Sequence, residues 1–184
     1  MLEKNLSSIG VVILAAGKGT RLECLDTPKV MLDLAGKPIV SYVVDILKEM
    51  GLEQNQICLV VGFEKEKVVD YFGNTVRYAI QDEQLGTAHA AYTGITVFED
   101  NVKNVLVIGG DDSAFYTKET LISFVEKHIE NNSKLSLLSA EVGNPVSLGR
   151  IVRHKNEEVE IIEKEYLTEE QKKIKEISTG TFCF

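Results

Sequence analysis

The chain has 184 residues, 44% hydrophobic and 26% charged, which fits one soluble domain with a substantial core and excludes disordered or fibrous classes. Twenty basic residues against 28 acidic ones leave a formal net charge of −8. That balance argues against a nucleic acid or an anionic membrane as partner, because either calls for a basic face. Cys24, Cys58 and Cys183 are odd in number and too widely spaced for a zinc motif, so buried thiols in a reducing cytoplasm are expected.

Lys4 and the apolar run from Ile9 to Ala16 have the outline of a signal peptide. The run is short, Glu3 offsets Lys4, and a glycine-rich loop follows at once, so the reading is a buried first strand. No other segment approaches membrane-spanning length, and a cytoplasmic location is expected. Apolar, β-rich runs recur at Val11–Leu14, Ile57–Val61, Val76–Ile80 and Val105–Ile108. The first, second and fourth are continuously hydrophobic, as strands covered on both faces should be. Helical spacing separates them: Val40, Val43, Val44 and Leu47 before Gly51; Ala88, Ala91, Tyr92 and Ile95; and Leu121, Phe124, Val125 and Ile129 behind an N-cap at Thr117. The alternation predicts an α/β fold, a Rossmann-like, mostly parallel sheet flanked by helices. After Lys134 the pattern changes to short strands at Leu135–Val142, Arg150–His154 and Val159–Glu163. A charged helix over Thr168–Lys175 and a last strand near Ile177–Phe184 complete a small mixed β extension, expected to cover a substrate pocket. The chain stops on an apolar strand without a polar tail, so a fragment or a shortened relative is expected.

Ligands of open parallel sheets sit at the carboxyl ends of the strands, and two such ends carry chemistry here. The first strand opens into Ala15-Ala16-Gly17-Lys18-Gly19-Thr20-Arg21, the fourth into Gly109-Gly110-Asp111-Asp112. Gly17 and Gly19 are expected to let the backbone adopt positive φ and approach a ligand closely, so that successive N–H groups can cradle phosphate oxygens. A P-loop is excluded because Val12 stands where its first glycine belongs, and a dinucleotide fingerprint because Leu22 replaces its third. Arg21 and then Pro28-Lys29 place two cations behind the loop, a set suited to a triphosphate.

The run Leu14-Ala15-Ala16-Gly17-Lys18-Gly19-Thr20-Arg21-Leu22 with Pro28-Lys29 resembles the signature of the sugar-1-phosphate nucleotidyltransferases. Within that family the uridylyltransferase domains of bacterial bifunctional N-acetylglucosamine-1-phosphate uridyltransferases are the nearest likeness. Gln81-Asp82-Glu83-Gln84-Leu85-Gly86-Thr87-Ala88-His89-Ala90, Leu34-Ala35-Gly36-Lys37-Pro38, Leu148-Gly149-Arg150-Ile151, Ile162-Glu163 and Ile177-Ser178-Thr179-Gly180 follow in the family's order, so the likeness spans essentially the whole chain. It implies the nucleotide-diphospho-sugar transferase type of fold. A nucleotide-binding part of about 1–133 would be followed by a sugar-binding part of about 134–184. It also implies transfer of a uridylyl group from UTP, or a thymidylyl group from dTTP, to a sugar 1-phosphate such as N-acetylglucosamine 1-phosphate, with release of pyrophosphate.

By that resemblance Arg21 and Lys29 clamp phosphates and Asp111 binds Mg²⁺, the implied cofactor. Leu14, Ala15, Ala16, Gly17 and Gly19 hold the nucleotide, and Gln81, Gly86 and Thr87 read the base. Gly149, Glu163, Ser178 and Thr179 contact the sugar. His89, His128 and His154 have no partner spacing, and His128 reads as core. The sequence departs from the family in one extra residue between Arg21 and Lys29 and another after Asp111. Ser178 stands where acetamidosugar enzymes usually have Asn. The chain also ends before a downstream Asn that supplies a second metal ligand, and before a left-handed β-helix. Neither acetyltransferase activity nor trimerisation by that route is expected, and the oligomeric state is left open. Two further readings stay open: a glucose-1-phosphate uridylyl- or thymidylyltransferase, and a non-catalytic nucleotide-sugar binding module. A binder need not keep Arg21, Lys29 and Asp111 together, which favours the enzyme.

Overall fold

A computed structural model describes residues 6–19, 26–111, 114, 116–145, 148–155 and 158–184. They fall into two compact units, residues 1–136 with 182–184, and residues 137–181.

The first unit is built on β1 (Ile9–Ala15), β4 (Ile57–Val61), β5 (Arg77–Ile80) and β6 (Asn104–Gly109). A short hairpin, β2 (Asp33–Leu34) with β3 (Lys37–Pro38), lies between the first two in sequence. The four long strands are parallel in the spatial order β5-β4-β1-β6. The end of the chain pairs antiparallel to β6, with Phe182 opposite Val107 and Cys183 opposite Leu106. Parallel strands need crossovers, and among the described residues four α-helices appear: α1 (Ile39–Glu49), α2 (Lys65–Phe72), α3 (Thr87–Ile95) and α4 (Lys118–Glu130).

Alternation along the strands divides the core in two. Val11, Ile13, Ile57, Leu59, Leu106 and Ile108 pack with Val43 and Leu47 of α1, Val68 and Phe72 of α2, and Leu121 and Val125 of α4. Val12, Cys58, Val60, Val105 and Val107 face the other way, onto Ala90 and Ala91 of α3. Both sheet faces are therefore covered, which is why the strand sequences read as unbroken apolar runs. Thr117 caps α4 as expected, its hydroxyl oxygen accepting the Thr120 N–H at 3.2 Å. His128 on that helix is buried, with Nδ1 2.9 Å from the Ser136 hydroxyl, and burial lowers its pKa below 6.5. Cys58 and Cys183 are free buried thiols pushed up to about 12 by desolvation, and Cys24 lies outside the described residues.

Two expected helices come out differently. On α3 the expected stripe included Ala88 and Tyr92, yet both are exposed and the buried side is Ala90, Ala91 and Gly94. The reason is steric. A β-carbon at Gly94 would lie 2.5 Å from Val12 and 2.7 Å from Val60, so the helix approaches the sheet along its smallest residues. The expected helix over Thr168–Lys175 reduces to a 3₁₀ turn at Gln171–Lys173. Its surface ion pairs, Lys172 with Glu169 and Lys173 with Glu170, supply no apolar stripe to dock a longer helix.

The second unit carries most of β7 (Ser136–Glu141), the antiparallel hairpin of β8 (Arg150–Arg153) with β9 (Val159–Ile162), and most of β10 (Glu176–Cys183). β7 neighbours β10, where the Thr179 hydroxyl donates to the Leu138 carbonyl at 2.8 Å. Arg153 clamps Glu176 through Nε at 2.9 Å and Nη2 at 2.6 Å, and this guanidinium holds the Glu176 carboxyl below its ordinary value.

Candidate functional site

β1 lies between β4 and β6, and the chain runs from β1 out to β4 and β5 before crossing back to β6 on the other flank of β1, so the strand order reverses there. The crevice at their carboxyl ends is therefore a topological switch point, where open α/β sheets bind ligands. Gly110 follows β6 and its N–H donates to the Leu14 carbonyl at 3.0 Å, which ties the two strand ends together. Asp111 comes next and forms an ion pair with Lys29. Gly19 adopts a φ of +63°, and a β-carbon there would sit 3.0 Å from the Lys29 side chain. The glycine loop, Lys29 and Asp111 thus converge at one place. Lys29 is 43% exposed and Asp111 23% exposed. An ion pair in that setting adds only about 0–1 kcal/mol of stability, so its placement is not explained by the fold's needs.

Ala15 and Ala16 are buried and Leu14 half-buried, while Gly17 is exposed on the loop beyond; of the two loop glycines only Gly19 takes the expected positive φ, and a β-carbon at Gly17 would meet nothing within 4 Å. Arg21 and Asp112 lie outside the described residues. At the ends of β4 and β5, a cavity of about 290 Å³ is lined by Lys18, Gly62, Phe63, Lys65, Gln81 and Gln84, among others. That is the small end of the range for small-molecule sites, roughly 300–1,000 Å³. Gln81 is 5% exposed; its amide nitrogen lies 3.3 Å from the Gly86 carbonyl and 3.0 Å from His89 Nδ1. Gly86 precedes α3 with a φ of +99° and Thr87 is its first residue, so helix-terminal N–H groups start beside Gln81.

A family model described as nucleotidyl transferase matches residues 10–184. The chain belongs to that family. It is 41% identical over 174 residues to the bifunctional protein GlmU of Geobacillus sp. (strain WCH70), covering 94% of this chain and 37% of the relative. It is 39% identical over 181 residues to the bifunctional protein GlmU of Symbiobacterium thermophilum, covering 97% and 38%. The chain therefore spans under two fifths of the length of these curated relatives. Among solved structures, HddC from Yersinia pseudotuberculosis complexed with GMP-PN superposes with a TM-score of 0.74 at 28% identity, over 95% of this chain and 76% of that one. No helix among the described residues is long and apolar enough to cross a membrane.

In the second unit the candidates form two local groups. A β-carbon at Gly149 would meet the Ile162 carbonyl at 2.8 Å and the Glu163 Cα at 3.4 Å, so Gly149 packs on the backbone that carries exposed Glu163. Ser178 accepts the Gly180 N–H at 3.2 Å, and Thr179 is held to β7. Sequence reasoning passed over three residues, Gln84 and His89 in the first unit and Arg150 in the second, that hold candidate residues in place. Gln84 donates to the Ala16 carbonyl at 2.8 Å and joins the base segment to the glycine loop; its spacing from Gln81 was the available signal. Arg150 is 3% exposed, and its Nη1 donates to the Leu148 and Gly149 carbonyls, which fixes the turn bearing Gly149. His89 partners Gln81, His128 partners Ser136 and His154 partners Glu160, so all three histidines have the polar neighbours that sequence spacing failed to show.

Among the described residues no three potential ligands cluster for a metal. Mg²⁺ does not need three. It takes one or two protein carboxylates and completes its shell with phosphate oxygens and water. Asp111, already holding a cation at an accessible strand end, fits that requirement.

Proposed function

We propose that this chain transfers a uridylyl group from UTP to a sugar 1-phosphate, N-acetylglucosamine 1-phosphate by preference, and releases pyrophosphate. The observation that carries the reading is the convergence of the glycine loop, Lys29 and Asp111 at the switch point of a nucleotidyl transferase fold. In this reaction a sugar-phosphate oxygen attacks the α-phosphorus of the triphosphate. The new P–O bond forms as the bond to the β-phosphate bridging oxygen breaks, and pyrophosphate leaves with that electron pair. The nucleophile is already anionic, so no strong base is required, and the protein's task is positioning and charge neutralisation.

Lys29 and Arg21 take the phosphate oxygens, and the loop from Leu14 to Gly19 offers backbone N–H groups. Asp111 would hold Mg²⁺, which when bound offsets negative charge on the phosphates. Gln81, Gly86 and Thr87 receive the base; Gly149, Glu163, Ser178 and Thr179 receive the sugar. A cytoplasmic location accompanies this proposed role. The GlmU relatives at about 40% identity support the uridylyl reading over other bases.

The test is pyrophosphate release with Mg²⁺ from UTP, dTTP, CTP, ATP and GTP, each with N-acetylglucosamine 1-phosphate or glucose 1-phosphate. UTP with N-acetylglucosamine 1-phosphate should be fastest and dTTP next among nucleotides, since it keeps the same hydrogen-bonding edge. Faster release from CTP, ATP or GTP would overturn the uridylyl assignment. Binding without release from any pair would leave a binding module and sink the transferase reading.

A further inference from the structure

The contact between Gln81 and His89 settles which end of the Gln81 amide is free. The Gly86 carbonyl can only accept, so the Gln81 atom 3.3 Å from it is the amide nitrogen. That same nitrogen lies 3.0 Å from His89 Nδ1 and carries one more hydrogen to donate. The network therefore assigns His89 Nδ1 as an acceptor and places its ring proton on Nε2. Both amide hydrogens are now engaged, and Gln81 Oε1 has no hydrogen-bond partner among the described residues. Gln81 lines the cavity at the ends of β4 and β5. What this glutamine can offer a ligand there is an acceptor only.

We propose that His89 is a positioning residue for base selection: it holds Gln81 with its carbonyl oxygen outward, so that the site takes a base with a ring imide N–H and rejects one with a ring acceptor at that place. This rests on the uridylyl reading above. Uracil and thymine present N3–H to the Oε1 acceptor, whereas cytosine presents a lone pair at N3, and two acceptors face each other without a proton between them. Rejection of that kind is strong because a polar group is left unpaired. Without an acceptor at residue 89, the one remaining tie is the 3.3 Å contact to Gly86. The amide can then turn over, present its NH₂ end, and pair with cytosine N3.

The experiment has two readouts on the intact chain. Calorimetric binding of UTP and CTP with Mg²⁺ is compared for the parent, His89→Ala and His89→Asn, the last of which puts Oδ1 at the same bond distance from Cα as His Nδ1. His89→Ala should lower the UTP-over-CTP ratio by roughly tenfold or more, and His89→Asn should restore most of it. General damage to the pocket would weaken both nucleotides alike. If the parent prefers UTP and His89→Ala keeps the full ratio, the positioning role is overturned while the uridylyl reading stands. Absence of any UTP preference in the parent defeats the uridylyl reading and, with it, the base-selection role. The second readout, long-range ¹H–¹⁵N spectra of the nucleotide-free protein, reports the ring tautomer independently of any base. A proton on His89 Nε2 is expected; a proton on Nδ1 would overturn the amide assignment.

Discussion

Replacing Gly110 with alanine separates the positioning of Asp111 from its chemistry. A β-carbon at Gly110 would lie 2.9 Å from the Leu14 carbonyl oxygen, 3.0 Å from Val30 Cγ1 and 3.4 Å from Val40 Cγ2. The first neighbour is backbone of the central strand and cannot swing aside, and the Gly110 N–H donates to that same oxygen at 3.0 Å. The carboxyl ends of β1 and β6 must therefore move apart, and Asp111, the next residue, moves with them. Overpacking of this kind costs about 1–3 kcal/mol. At roughly 2–4 °C per kcal/mol for a chain of this size, Tm should fall by about 2–12 °C. Displacement of about an ångström near the chemistry should cost on the order of 100-fold in pyrophosphate release. Gly17→Ala is the control from the same crevice, because a β-carbon there meets nothing within 4 Å and its φ is not positive. Its Tm should hold or rise slightly, while release falls because the nucleotide would pass against this backbone. Thermal unfolding and a coupled pyrophosphate assay decide the matter. If Gly110→Ala matches the parent in both Tm and release, the close approach of the two strand ends does not position Asp111.

Two pH effects follow from the cited shifts. Burial lowers the His128 pKa below 6.5, so the unfolded chain binds the proton first, and the parent loses stability as pH falls below 6.5 toward that lowered value. His128→Gln should gain on the parent in Tm between pH 7.5 and 5.5; parallel curves would show that His128 is not held neutral. Arg153 depresses the Glu176 pKa, so the parent's advantage over Glu176→Gln should be full above pH 4.5 and vanish as pH falls through the depressed value. An advantage that persists at the acid limit would mean that Glu176 acts through packing rather than charge.

Three of the four parallel strands, β1, β4 and β6, were legible because burial on both faces leaves unbroken apolar runs such as Ile57–Val61; the edge strand β5 has only Ala79 buried and showed through its β-rich run alone. α4 was legible from its cap and its Leu121–Val125 spacing. α2 was not, because Val68 and Phe72 are its only buried residues and it starts from Glu64 in the left-handed region, which hides the boundary. The face of α3 was misread because hydropathy favours Tyr92, whereas close packing selects Gly94. At the candidate site, motif order placed Lys29 and Asp111 at separate strand ends, but their ion pair depends on β1 and β6 being neighbours, which is a matter of topology. The polarity of Gln81 lay beyond the sequence for a similar reason. It requires knowing that His89, two residues into α3, turns Nδ1 toward an amide in the preceding loop.

The central claim is that Asp111 and Lys29 form the hub of a magnesium-dependent transfer. Pyrophosphate release from UTP and N-acetylglucosamine 1-phosphate, measured at saturating Mg²⁺ for the parent and Asp111→Asn, tests it most directly. Asn keeps the shape of the side chain, so Tm should stay within a few degrees, whereas a neutral amide is a poor ligand for a hard dication. Release should fall by about two orders of magnitude or more, the scale expected when a charge-stabilising contact is removed. Turnover by Asp111→Asn equal to that of the parent would contradict the account.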